Sequence, residues 1–327
     1  MSIEPVQRVE VRVLVDNTTD GLSSNPDFVE TELTSLRNRR QGAWMMNGGS
    51  LSSPAHGLSC LVTIRYAGQS RAVLFDAGPE DRVFEQNVTR QGVDLSEVEA
   101  IVLSHGHWDH AAGMLKAVQM VRDRTGGGEV PYFAHPDMFR SRAGRQRDGM
   151  MRLIEDVPSI AALTAHGARV VNTTEPQALL DGRAYLSGEI PRVTPFEVGL
   201  PGQHRRTLDG QGWEPDELLM DERFLAVHLA GKGIVVLSGC SHAGIVNVLL
   251  AAQAQFPGVP LYAVFGGLHL SGTNERVIPE TVQALHALQP AIFAPGHCTG
   301  WRAVSALVEA FGSSSMVPLA VGKRYTL

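Results

Sequence analysis

The chain has 327 residues, 43% of them apolar, and a mean hydropathy of -0.03, which is enough material to bury a large core in an ordinary globular fold. No window approaches the roughly 18 consecutive apolar residues of a spanning helix. A net charge of -6, from 28 basic and 34 acidic residues, argues against a general nucleic-acid binder, and three cysteines are too few for a disulfide framework.

The opening MSIEPVQRVEVRVLVDN has no basic segment leading into an apolar one, so a cytoplasmic location is expected. Residues 7–15 alternate and are rich in valine, which predicts a first strand. Asp16 then reads as a turn cap or a pocket residue. Residues 27–41 suit a short polar helix, and the aperiodic stretch around Trp44, Met45 and Met46 belongs to an insertion over 20–56, expected to be a lid or an interface. Leu58–Tyr66 and Arg71–Phe75 predict a hairpin. Asp76 follows, placed to orient a metal ligand or to cap the turn. A helix is expected over 81–91.

The run Glu99-Ala100-Ile101-Val102-Leu103 leads into Ser104-His105-Gly106-His107-Trp108-Asp109-His110. Four metal-competent side chains within six residues, between a strand and a helix, can converge on one point. Imidazole suits zinc, iron, cobalt or nickel, and the carboxylate adds charge compensation. His105 and His107 can face one ion while Asp109 and His110 face another, the arrangement two-metal hydrolysis requires.

A helix over 111–123 precedes a short strand at 130–134. The basic stretch 140–151 reads as a solvated loop or an anion-binding rim. Residues 188–220, dotted with proline and glycine, read as an irregular segment lying over the site. From Glu222 onward three strands each end in glycine and histidine before a helix: Gly239-Cys240-Ser241-His242, Gly266-Gly267-Leu268-His269 and Gly296-His297-Cys298. Ligands sit outside the carboxyl ends of strands in α/β folds, so these histidines should reach the mouth where His105–His110 lie. Cys240 and Cys298 read as buried small residues beside them, with metal tuning as the alternative. A last strand is expected at 316–321. Initial strands followed by strand–helix units recur in both halves, so the fold expected is α/β, one domain over 1–327, two sheets packed together with helices outside.

These residues resemble the metallo-β-lactamase superfamily, a four-layer αβ/βα sandwich with its metal site between the sheets. His105, His107, Asp109 and His110 match its HxHxDH motif, and His242 and His297 its two later histidines. The chain is similar, more narrowly, to the branch that includes 7,8-dihydropterin-6-yl-methyl-4-(β-D-ribofuranosyl)aminobenzene-5'-phosphate synthase, through Val13–Asn17, His56-Gly57-Leu58-Ser59, Gly188–Arg192, Gly239–His242, Gly266–Leu270 and His297–Gly300. The resemblance implies two divalent cations, zinc first, with manganese or iron as alternatives. His105, His107 and His242 would hold one, and Asp109, His110 and His297 the other. It implies catalytic work for Asp109 and His269, and substrate contacts at His56, Arg192, His269 and Asp16. The superfamily's bridging aspartate is absent from Gly266–His269, where His269 reads as a ligand, a substrate contact or a packing residue. The expected activity is hydrolysis of a small anionic metabolite, a phosphate or cyclic ester. A pterin-linked phosphoribosyl-type transferase and a non-catalytic metal-binding protein are the alternatives. No nucleic-acid or membrane partner is expected; a homodimer is.

Overall fold

The computed structural model describes every residue except Gln41. Two sheets face each other across a shared apolar core. The first has eight strands in the order Val29–Glu30, Arg324–Thr326, Arg8–Val15, Ser59–Tyr66, Gln69–Phe75, Val98–Val102, Val130–Ala134 and Ala168–Asn172. The second has six: Gln177–Leu179, Ala184–Leu186, Phe224–Leu229, Gly233–Ser238, Leu261–Gly267 and Ile292–Gly296. Each sheet begins with antiparallel hairpins and continues as a parallel run.

Strand alternation explains the layering, because successive side chains point to opposite faces. Val9, Val11 and Val13 enter the core between the sheets, together with Val62, Phe75, Leu225, Val235 and Phe265. Leu14, Leu61 and Leu74 point the other way, onto helices Asp81–Gln91 and Met114–Arg124. In the second sheet Phe224, Ala226 and Val236 pack outward against Ile245–Gln255, Ile278–Leu288 and Trp301–Phe311. The result is the expected four-layer αβ/βα sandwich. No helix among the described residues is long and apolar enough to cross a membrane.

The structure departs from the sequence expectations in three places. The stretch 140–151 is a solvated loop only over 146–150. It supplies strands Arg142–Arg145 and Met151–Leu153, which pair with Gln203–Arg206 and Trp213–Pro215, inside the supposedly irregular 188–220, to make a third, four-stranded antiparallel sheet. Their pairing joins segments some sixty residues apart, which no local period reveals. Residues 316–321 form only an isolated bridge, Phe293 to Met316. Pro318 lacks the N–H a ladder requires, and the carbonyls of Val317 and Pro318 instead accept from the Tyr325 hydroxyl at 3.1 and 2.9 Å. The strand at this end is Arg324–Thr326, seated beside Arg8–Val15.

Candidate metal centre

Six strands deliver the site, all at one end of the sandwich. Asp16 follows Val15, Asp76 follows Phe75, and Ser104–His110 follow Val102; His242, His269 and His297 come just after Ser238, Gly267 and Gly296. Asp109 and His110 stand in a short helix, Trp108–Ala111, rather than in an irregular loop. Four non-glycine residues here adopt left-handed backbone: Asp76 (φ 60°), Ser241 (59°), His269 (42°) and His297 (48°). Such residues each cost about 1 kcal/mol or more and persist only where surrounding contacts hold them.

Hydrogen bonds fix which ring nitrogen of each histidine carries a proton. The Ser104 hydroxyl donates to Asp76 Oδ2 at 2.7 Å, so its oxygen accepts from His105 Nδ1 at 2.9 Å. His107 Nε2 donates to Gln203 Oε1 at 3.0 Å. His110 Nδ1 donates to Asp76 Oδ2 at 2.7 Å, and His297 Nδ1 to Asn17 Oδ1 at 3.1 Å. Four ring nitrogens are thereby turned inward. His105 Nε2 lies 3.0 Å from His107 Nδ1, and His110 Nε2 lies 3.2 Å from His297 Nε2. His242 is 3% exposed and neither of its ring nitrogens has a hydrogen-bond partner, a cost that a buried polar group seldom carries unrelieved.

Electrostatics sort these groups. Burial, reinforced by the neighbouring imidazoles, holds His105 and His242 well below the ordinary histidine value, and burial lowers His107 to about 4. These three are neutral near pH 7 and offer lone pairs without losing a proton. Burial also opposes charge on His110, but the Asp76 and Asp109 carboxylates prevail and raise it to about 9. Without a cation its Nε2 keeps a proton, which a metal would displace. Burial resists ionisation of Asp109, yet His110 and His297 hold it well below the usual carboxylate range. Its Oδ2 lies 3.2 Å from His297 Nε2 and 3.5 Å from His56 Nε2.

The donor set therefore fits metal ions. Donor atoms of His105, His107 and His242 lie within 4.8 Å of one another, as do those of His56, Asp109 and His297. The cavity in front, about 390 Å³, is lined by Asn17, His56, Gln203, His269 and Ser271, with apolar walls from Trp108, Ile154 and Leu200.

The six residues expected as ligands are thus brought together, and His56 and His269 line the same cavity. Asp16 and Arg192 are placed elsewhere. The buried Asp16 carboxylate accepts from the His297 backbone N–H at 2.9 Å and from Thr18, shaping the turn behind His297. Arg192 lies outside the cavity lining and spends its guanidinium on the carbonyls of Ile190, Leu218 and Leu219.

Several supporting residues have no sequence signal. Gln203 comes from the third sheet. Arg142, 2% exposed, donates to Asp221 at 2.6 Å, Asp216 at 3.1 Å and the Gly106 carbonyl at 2.9 Å. Asp221 also accepts from the Gly106 N–H at 3.0 Å, so this cluster grips the histidine loop by its backbone. Only glycine fits at 106, where a Cβ would stand 2.1 Å from the Arg142 guanidinium and 2.7 Å from the Met138 carbonyl. Glu222, raised to about 7 by burial, accepts from the backbone N–H groups of His242 and Ala243 at 2.8 and 2.6 Å.

Comparison with known proteins agrees with this geometry. A family model for a beta-lactamase superfamily domain matches residues 71–173. The 7,8-dihydropterin-6-methyl-4-(beta-D-ribofuranosyl)-aminobenzene-5'-phosphate synthase of Methanocaldococcus jannaschii is 29% identical over 267 residues, covering 78% of this chain and 85% of that protein. An uncharacterized protein of the same organism is 28% identical over 259 residues, 78% of this chain and 88% of its own length. Among solved structures, a metal-dependent hydrolase of the beta-lactamase superfamily superimposes with a TM-score of 0.69 at 22% identity, covering 98% of each chain.

Proposed function

The chain has the metallo-β-lactamase fold, and from that premise we propose that it is a metal-dependent hydrolase of a small anionic metabolite, a phosphate or cyclic ester. His105, His107 and His242 would hold one divalent cation, and Asp109, His110 and His297 a second, with zinc the first choice for a histidine-rich set. Such cations lower the pKa of water and polarise a phosphoryl or carbonyl oxygen.

The remaining work falls to the chain's own groups. Asp76, Ser104, Gln203 and Asn17 hold the imidazoles in the tautomers that face inward. Asp109, ionised at neutral pH, supplies negative charge beside His297 and His56. Burial opposes protonation of His269, but Cys298, Glu222 and Asp109 raise it, so it can hold an anionic group or pass a proton to a leaving oxygen. Trp108, Ile154 and Leu200 give the cavity an apolar wall against which the uncharged part of a substrate can pack.

The observation that carries this reading is the meeting of His105, His107 and His242 donor atoms within 4.8 Å of one another, with His242 buried and without a hydrogen-bond partner, beside the His110–His297 pair. It is tested by elemental analysis of the purified protein, with turnover of phosphodiesters and lactones before and after chelation. Bound metal and chelator-sensitive hydrolysis are expected. Protein with no metal and no such turnover would remove the proposal.

A second reading, a transferase joining a pterin and a phosphoribosyl-type substrate, is supported by the likeness to the archaeal synthase. Product analysis separates the two: a transferase yields a conjugate of two substrates, a hydrolase the products of water addition.

A further inference from the structure

We propose that the sulfur of Cys240 is itself a metal ligand, and that it is the atom the two cation positions share. The inference rests on the metal reading above. Donor triads around the site, each with atoms within 4.8 Å of one another, number five among the described residues, and Cys240 belongs to three of them. It joins His105 and His110 in one, His242 and His269 in another, and His297 and Cys298 in the third; no other residue belongs to more than two. Its Sγ therefore stands between the histidines given to the first cation and those given to the second.

Distance and charge both agree. Cys240 is 2% exposed, and its Sγ lies 3.2 Å from His110 Nε2. With zinc–nitrogen bonds of about 2.0–2.1 Å and zinc–sulfur bonds of about 2.3 Å, adjacent donors of a tetrahedral site are about 3.5 Å apart. Asp109 is the only carboxylate in the five triads, so a further negative charge for two dications falls to a cysteine, and of Cys240 and Cys298 only Cys240 reaches both sets of histidines. Its thiolate supplies that charge. No side chain from residue 267 can do so, because a Cβ there would stand 2.5 Å from Cys298 Sγ and 3.2 Å from Cys240 Cα. His242, in one triad with Cys240, is the buried imidazole lacking any partner.

Coordination breaks the S–H bond, releases that proton to solvent and forms a sulfur–metal bond; nothing is oxidised. The competing arrangement is a plain thiol whose sulfur accepts a hydrogen bond from His110 Nε2–H.

Cobalt(II) decides between them. The full chain is stripped with chelator, reloaded with cobalt, assayed for bound metal and scanned in the near ultraviolet. A thiolate-to-cobalt charge-transfer band is expected in the wild type and in Cys298→Ser, and its loss in Cys240→Ser. An aromatic disulfide reagent should find the Cys240 thiol protected by cobalt and reactive after chelation. Bound cobalt without the band overturns the role of Cys240 and leaves the metal reading standing, as does a band that survives Cys240→Ser. Failure of the wild type to take up any cobalt overturns both. Should Cys240→Ser not fold, the wild-type spectrum and thiol protection still decide.

Discussion

Two oxygens of Asp76 accept three hydrogen bonds, from the Ser104 amide, the Ser104 hydroxyl and His110 Nδ1, each at 2.7 Å. One side chain thus sets the tautomers of two histidines, directly for His110 and through Ser104 for His105. Asp76→Asn is a clean probe, since asparagine also tolerates the left-handed backbone of this position. An amide N–H facing His110 or Ser104 spoils one tautomer. Metal affinity should fall about 10- to 100-fold, read by competition against a chromophoric chelator; unchanged affinity would remove Asp76 from this role. The donors themselves were legible in the sequence because HxHxDH packs them into one short loop and the later histidines each follow a strand and a glycine. Gln203 and Ser104 were not, because hydrogen-bonding partners are chosen by proximity in space and carry no spacing of their own. Arg192 illustrates the reverse error: its residue type suits an anion, yet three backbone carbonyls already occupy it.

Among the elements, the third sheet has the most to explain. Its strands RAGR, MRL, QHRR and WEP are only three or four residues long, too short to display a period, whereas helices such as Asp81–Gln91 and Trp301–Phe311 are read directly from theirs. What fixes the sheet is Arg142, an arginine buried between Asp216 and Asp221. Arg142→Ala leaves the buried Asp221 without its cation, while Asp216 keeps Arg205, and should cost about 3–5 kcal/mol, measured by urea unfolding. Pairing it with Asp221→Ala should cost less than the sum of the single changes; strict additivity would show the contact to be idle. Glu197 plays a comparable part for helix Ile245–Gln255. It caps the N–H groups of Val246 and Asn247 at 2.8 and 2.9 Å in place of a residue at the helix's own glycine N-cap. Glu197→Ala should lower stability by about 1–2 kcal/mol in the same assay.

The molecule as a whole should respond to pH through its buried histidines, most visibly once chelated. His107 is lowered to about 4, and His105 and His242 move in the same direction. A histidine depressed in the folded state is protonated only by the unfolded chain between its two values, so stability rises with pH from about 4 toward 6.5. Glu222, raised to about 7 from 4.5, works against that rise, as do Asp16, Glu32, Glu197 and Asp216, which burial also raises. His110, raised from 6.5 to about 9, holds its proton longer when folded, so its contribution is complete below 6.5 and disappears as pH climbs to about 9. Thermal unfolding of the metal-free protein should therefore decline above pH 6.5, with that decline reduced in His110→Gln and the rest retained by His269, which is raised as well. A flat profile would contradict the assignment. The sandwich was legible throughout, since period-two strands and period-3.6 helices alternate in both halves, and a glycine with a histidine closes each late strand.

Strand Arg324–Thr326 lies between Val29–Glu30 and Arg8–Val15, which seats a strand from late in the sequence beside one from near its start. While the ribosome is still at work, Arg8–Val15 keeps one bare edge, the kind of surface that invites mispairing between neighbouring nascent chains. His297 emerges almost as late, so a half-made polypeptide can bring only its early histidine loop to a passing ion. The sheet edge and the cavity are accordingly completed together, late in folding.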